Sequence, residues 1–149
     1  IAAERHIVTP ALERIVEANT LLSGIGFESG GLASAHSIHN GLTALQETHA
    51  LYHGEKVAFG VLAGLQLTDA LPEESDTVYT FCEQVGLPTT LADLGLKYCN
   101  RSRLLQVAEK ACAPIESIHH EAGTVTPDKV LQAILAADAI GQRRNCQQC

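Results

Sequence analysis

Residues Gly24 to Gly64 read G-I-G-F-E-S-G-G-L-A-S-A-H-S-I-H-N-G-L-T-A-L-Q-E-T-H-A-L-Y-H-G-E-K-V-A-F-G-V-L-A-G, and four of the chain's seven histidines fall within eighteen residues of this stretch. They form two pairs, His36 with His39 and His49 with His53. Residues three or four apart on a helix share a face, so each pair can set its rings side by side. Asn40-Gly41 weakens the helix between the pairs, and His53-Gly54 starts an apolar one. The stretch therefore predicts two helices meeting at an angle, with an imidazole from each directed into one cavity, a donor set that suits zinc. Taken singly, each histidine reads more readily as a hydrogen-bonded residue in or at the edge of a core.

Working outward, 149 residues are enough for one domain with its own core. The chain is 46% hydrophobic and only 4% aromatic, so Leu, Ile, Val and Ala must build that core. A formal charge of −7, with the basic residues scattered, argues against a nucleic-acid partner. The apolar run near residues 57–65 is too short to span a bilayer. The opening I-A-A-E-R-H has charge too early for a signal peptide, which predicts a cytoplasmic protein. The chain has no methionine, even at position 1, as expected of a piece of a longer protein. Five cysteines at irregular spacing predict free thiols. Cys146 and Cys149 form a C-x-x-C that reads as half a zinc site or a redox pair, but no second C-x-x-C accompanies it and its polar tail is expected to be disordered.

Helices dominate the rest. Thr9-Pro10 opens the first as N-cap and N1, with Leu12, Ile15, Val16 and Leu22 as its stripe and Gly24 and Gly26 as its end. A turn at 28–31 precedes a small-residue helix over 32–45, in which Ala33, Ala35 and Gly41 permit close backbone approach. Gly60 and Gly64 give the next helix a similarly tight face. Pro72 starts a helix with Val78, Phe81, Cys82 and Val85 inward, and a short helical turn is expected over Thr90–Leu94. Ser102–Ala113 is amphipathic through Leu105, Ala108 and Cys112, and Thr126-Pro127 opens a last helix to about Arg143. His119 and His120 lie in the connecting loop, where they could edge a cleft. No segment alternates with a period of two, so the fold class is all-α, with six or seven helices over residues 1–149.

A catalytic zinc takes three protein ligands and leaves one position open. Two histidines from adjoining helices supply two. His39, His49, Glu28, Glu47 or a residue outside the chain are the candidates for the third. The chain carries no G-x-S-x-G, P-loop, H-E-x-x-H or dinucleotide-binding G-x-G-x-x-G.

Three motifs are more specific. Gly26-Phe-Glu-Ser-Gly-Gly31, Ala35-His-Ser-Ile-His-Asn-Gly-Leu42 and His53-Gly-Glu-Lys-Val-Ala-Phe-Gly60 together closely resemble the C-terminal helical domain of bacterial-type glycerol dehydrogenases. These are members of the metal-dependent (iron- or zinc-containing) alcohol dehydrogenases, which share the dehydroquinate synthase-like fold. The resemblance extends from Thr9-Pro-Ala-Leu-Glu-Arg14 to Ile140-Gly-Gln142. It implies a full-length, homo-oligomeric enzyme that oxidises glycerol and similar vicinal diols to dihydroxyacetone with NAD, the dinucleotide being held mainly by an N-terminal α/β domain outside this chain. It implies zinc, or iron, as a Lewis acid on the substrate hydroxyl. Carried over by motif, His36 and His53 are the implied metal ligands and an upstream Asp the third. His39 and His49 are implied to line the substrate site, with His39 a candidate proton relay. This piece alone is expected to be inactive.

Two other readings stand beside that one. A dehydroquinate synthase-like enzyme shares H-G-E-x-V-A, but its usual Gly-His-Thr-x-Gly-His-Ala stretch is replaced here by Ala35-His-Ser-Ile-His-Asn40. The other is a non-catalytic helical metal-binding or assembly module.

Overall fold

Thr9 and Pro10 open a helix as their order predicts: Thr9 Oγ1 accepts from the Leu12 amide at 3.2 Å, and Pro10 stands at the first helical position, where its missing N–H has no intrahelical partner to lose. In the computed structural model, which describes residues 1–147, every regular element among the described residues is helical. The chain divides into two compact units, Ile1–Leu32 and Ala33–Cys149.

The first unit holds α1 (Ala2–Arg5) and α2 (Pro10–Gly30). Gly24 and Gly26 do not end α2, contrary to the sequence expectation, and the helix also runs through the expected turn at 28–31. A glycine lowers helix propensity by about 1 kcal/mol but removes no hydrogen-bond donor. The stop is Gly31, at φ 69°, whose N–H reaches the Phe27 carbonyl at 2.9 Å. The stripe of Leu12, Ile15, Val16 and Leu22 is exposed rather than buried.

The second unit holds α3 (Ser34–Leu42), α4 (His53–Leu67), α5 (Pro72–Val85), α6 (Arg101–Ala111) and α7 (Pro127–Gln147), with short 3₁₀ turns at Gln46–Thr48 and Ser117–His120. Helix α3 packs on α4 and α6, and α7 closes the far side against the same two. Their shared core is Ile38, Leu42, Phe59, Leu62, Leu104, Val107, Ile118, Val130, Leu131 and Ile134, each at most 2% exposed. Small residues set the spacing. A Cβ on Gly60 would meet the Ala35 carbonyl of α3, one on Gly41 the Val107 carbonyl of α6, and one on Gly141 the Thr89 carbonyl.

Several expected faces are rotated. On α5 the buried residues are Tyr79 and Cys82, while Phe81 and Val85 are exposed. The Tyr79 hydroxyl donates to the Ala137 carbonyl at 2.8 Å, which fixes the inward face of α5. Helix α6 begins at Arg101, where Asn100 caps the Arg103 amide, and it buries Leu104, Val107, Ala108 and Ala111. Residues 90–94 form turns rather than helix, organised by Asp93 Oδ2 accepting from the Thr89 and Thr90 amides.

The tail is ordered further than expected, since α7 continues through Gln147. Arg144 explains why: its guanidinium binds Asp76, Glu83 and Thr80 of α5 and lies over the Tyr79 ring. The Cys146–Cys149 motif falls partly outside the described residues. Cys82, Cys99, Cys112 and Cys146 are free thiols. Among the described residues no helix is long and apolar enough to cross a membrane.

Two glycine substitutions separate these roles. Gly60→Ala is expected to destabilise the protein by about 1–3 kcal/mol, because the new methyl group must push α4 off α3. Gly24→Ala, with no atom within 4 Å of its new methyl, is expected to be neutral or stabilising by up to about 1 kcal/mol. Urea denaturation of the two variants checks both signs.

Candidate metal centre

The histidine cluster is built where α3 meets the first turn of α4. Helix α3 is held at its start by the Ser117–His120 turn: the Ser117 hydroxyl donates to the Ala33 carbonyl at 3.1 Å and the Ile118 amide to Ser37 Oγ at 2.9 Å. Glu121 Oε1 also accepts from the Ser34 amide at 3.1 Å. Helix α4 begins at His53, and Glu55 reaches back to the Tyr52 amide at 2.6 Å. Its carboxylate thus caps the positive end of the helix.

Lys56 fixes the approach to that helix. Its side chain is buried, and Nζ donates to the Thr48 carbonyl at 3.2 Å and the Leu51 carbonyl at 3.1 Å. Among the described residues it forms no ion pair, so these two carbonyl dipoles carry the burden of solvating its charge. The Thr48 hydroxyl in turn donates to the Leu42 and Leu45 carbonyls, both at 2.9 Å. The chain from the end of α3 to His53 is thereby pinned at three points.

This frame brings three of the four histidines together. His53 Nδ1 lies 3.1 Å from His39 Nε2, with ring centroids 4.3 Å apart. The His36 and His53 centroids are 5.5 Å apart, with the rings tilted by 45°. His39 Nδ1 is 3.0 Å from Asn40 Oδ1, and Asn40 Nδ2 donates to both oxygens of Glu116 at 2.9 and 3.2 Å. His36 and His39 are half-buried and His53 is exposed, so the cluster sits at a surface rather than at the bottom of a cavity.

His49 does not join them. Its Nε2 pairs with the Thr43 carbonyl at 3.0 Å, because the 3₁₀ turn and the break before α4 separate it from the helix that starts at His53. The four-residue spacing fails here for want of a continuous helix. Glu47 is also engaged elsewhere: Arg103 binds it through two 2.7 Å hydrogen bonds, which hold its carboxyl down to about 2. His119 bonds the Ala113 carbonyl at 3.1 Å. Among the described residues, no group of three His, Cys, Asp or Glu side chains converges with the geometry to hold a metal.

The electrostatics favour neutral rings. Burial, followed by the neighbouring His53, lowers the His36 pKa. Burial also lowers that of His39, where the Asn40 hydrogen bond opposes the shift and the charges of His53, Lys56 and His36 reinforce it. A neutral imidazole keeps a lone pair, and that is the form a metal binds. His36 and His39 of α3 are thus kept ready as lone-pair donors, and with His53 of α4 beside them the rings fit a first-row metal as a partial ligand set. Sequence reasoning missed Lys56, Asn40 and Glu116. A lysine in the first turn of an apolar helix, and an asparagine directly after a histidine, were the only local signals for the first two.

No protein-family model matches the chain. Among curated proteins, a glycerol dehydrogenase of Thermotoga maritima is 59% identical over 143 residues, covering 96% of this chain and 39% of that protein. The chain is homologous to the glycerol dehydrogenases. It matches their C-terminal helical domain and spans about two fifths of the length of these relatives. The crystal structure of a glycerol dehydrogenase from Schizosaccharomyces pombe superposes with a TM-score of 0.93 at 42% identity, covering 99% of this chain and 38% of that one. A probable glycerol dehydrogenase from Sinorhizobium meliloti does so at 0.90 and 48%, covering 95% of this chain and 40% of that one.

Because folding lowers the pKa of His36 and His39, the unfolded chain takes up these protons first as pH falls. Stability is then expected to hold above about pH 6.5, the usual histidine value, and to decline below it. The depressed Glu47 carboxyl adds a separate loss that begins only below its ordinary value of 4.5. Thermal melts of metal-free protein from pH 8 to pH 5 check the first window, and His39→Gln should flatten the profile there.

Proposed function

We propose that the full-length protein is an NAD-dependent oxidoreductase that converts glycerol and similar vicinal diols to the corresponding hydroxyketone, dihydroxyacetone in the case of glycerol. The observation that carries it is the meeting of His36 and His53 across the α3–α4 junction in a chain homologous to glycerol dehydrogenases. His36 and His53 would hold a zinc ion together with a carboxylate from outside this chain. When bound, the metal supplies Lewis-acid polarisation of the substrate hydroxyl. The dinucleotide would be held mainly by an α/β domain, also outside this chain.

The residues of this domain then have distinct tasks. Helices α3 and α4 set the two rings at a fixed separation, and lowered basicity keeps His36 ready as a ligand. His39, bridging His53 to Asn40, lies beside the site, where it can line the substrate. His49 is turned back onto its own chain and is at most a distant part of the lining. Lys56 and Glu55 preserve the geometry from below and from the helix end. The small-molecule polyol and the homo-oligomeric state belong to the same reading.

In the full-length protein, His36→Ala and His53→Ala are each expected to reduce bound zinc well below one per chain. They should also lower kcat/KM for NAD-linked glycerol oxidation by at least about a hundredfold, given the several kcal/mol that such polarisation provides. Circular dichroism should stay native, and His119→Ala should retain both zinc and activity. Full zinc content and activity in both alanine variants would overturn the proposal.

A further inference from the structure

One hydrogen-bonded chain runs from a residue far along the sequence to the edge of the histidine cluster: Glu116 to Asn40, Asn40 to His39, and His39 to His53. Each link has only one consistent direction once the first is set. A carboxylate only accepts, so the Asn40 group facing Glu116 must be its NH₂. The Asn40 oxygen then faces His39 Nδ1 and accepts from it, so that nitrogen carries the proton. Neutral His39 is left with a bare Nε2, which at 3.1 Å accepts from His53 Nδ1. Neutral His53 therefore has its proton on Nδ1 and its lone pair on Nε2.

From this chain we infer that Glu116 is a positioning residue, which acts through Asn40 and His39 to hold His53 in the one tautomer whose Nε2 is free to bind a metal. The inference rests on the reading of His53 as a ligand for its consequence, but the tautomer itself does not depend on it. Glu116 is suitably placed for the task. It immediately precedes the Ser117–His120 turn that is stitched to the start of α3, so its carboxylate is fixed relative to Asn40 by the backbone on both sides. Without that carboxylate the Asn40 amide can rotate by 180°. Its NH₂ would then face His39 Nδ1, which would have to give up its proton, and His39 Nε2–H would donate to His53 Nδ1. The proton of His53 would move to Nε2 and block it.

The test uses full-length protein in three forms: the parent, Glu116→Ala, and Glu116→Gln, which retains an oxygen able to accept from Asn40. With ¹⁵N-labelled histidine in metal-free protein, the parent should show both His39 and His53 protonated on Nδ1. Glu116→Ala should show a mixture that includes the Nε2–H form of His53. Zinc affinity, measured by chelator competition, should fall by about 10-fold or more in Glu116→Ala, the size of effect known for residues that orient a ligand. Glu116→Gln should recover most of it, with equal melting temperatures in the metal-free state. Unchanged histidine tautomers in Glu116→Ala, or equal losses of affinity in the Ala and Gln variants, would overturn the inference. If His36→Ala leaves zinc binding intact while the tautomers of Glu116→Ala shift, the metal reading has failed and the orienting role of Glu116 stands.

Discussion

The second unit depends on the close approach of α4 to α3, where the Ala35 carbonyl occupies the space that a side chain on Gly60 would need. Backbones meet this closely only when one partner lacks a Cβ. The contact lies one residue from His36, and Gly60 is seven residues, nearly two full helical turns, beyond His53. His53 and Gly60 thus share the face of α4 that looks toward α3. The position that lets the helices touch also determines how near the two imidazoles can come. Core packing around Phe59 and Ile38 then makes that separation a property of the fold rather than of two mobile side chains.

Electrostatics at the junction follow from the same crowding. A buried ammonium at Lys56, solvated by two carbonyls, adds its charge to the burial that already lowers the pKa of His39. That positive charge discourages protonation of His39 without occupying a ring nitrogen. The geometry and the protonation state that metal binding requires therefore come from one arrangement, in which the turn that delivers His53 is held by the residue three positions after it.

Much of this could be read in the sequence, for reasons that differ by residue. Thr9-Pro10, Gly41 and Gly60 were legible because caps and close approaches need particular side chains, or the lack of one. The pairing of His36 with His39 on one helix followed from their three-residue spacing, and the all-helical class followed from periodicity. The reading failed where local signals were overruled. Gly24 and Gly26 weaken α2 without stopping it, and the polar end of α7 is ordered by Arg144, whose partners lie more than sixty residues away. His49 was placed beside His53 by spacing, although a helix that starts at His53 leaves His49 outside it. Glu116 was out of reach because nothing along the chain connects it to Asn40.

The sulfur content of this domain gives it an uneven chemistry toward oxidants. There is no methionine to become a sulfoxide. Burial pushes the thiols of Cys82, Cys99 and Cys112 up, so they stay protonated and slow to react with peroxide. Among the described residues only Cys146, near the end of α7, presents an exposed sulfur. Among the described residues, oxidation is thus directed to the exposed end of α7 rather than to the buried and half-buried sulfurs.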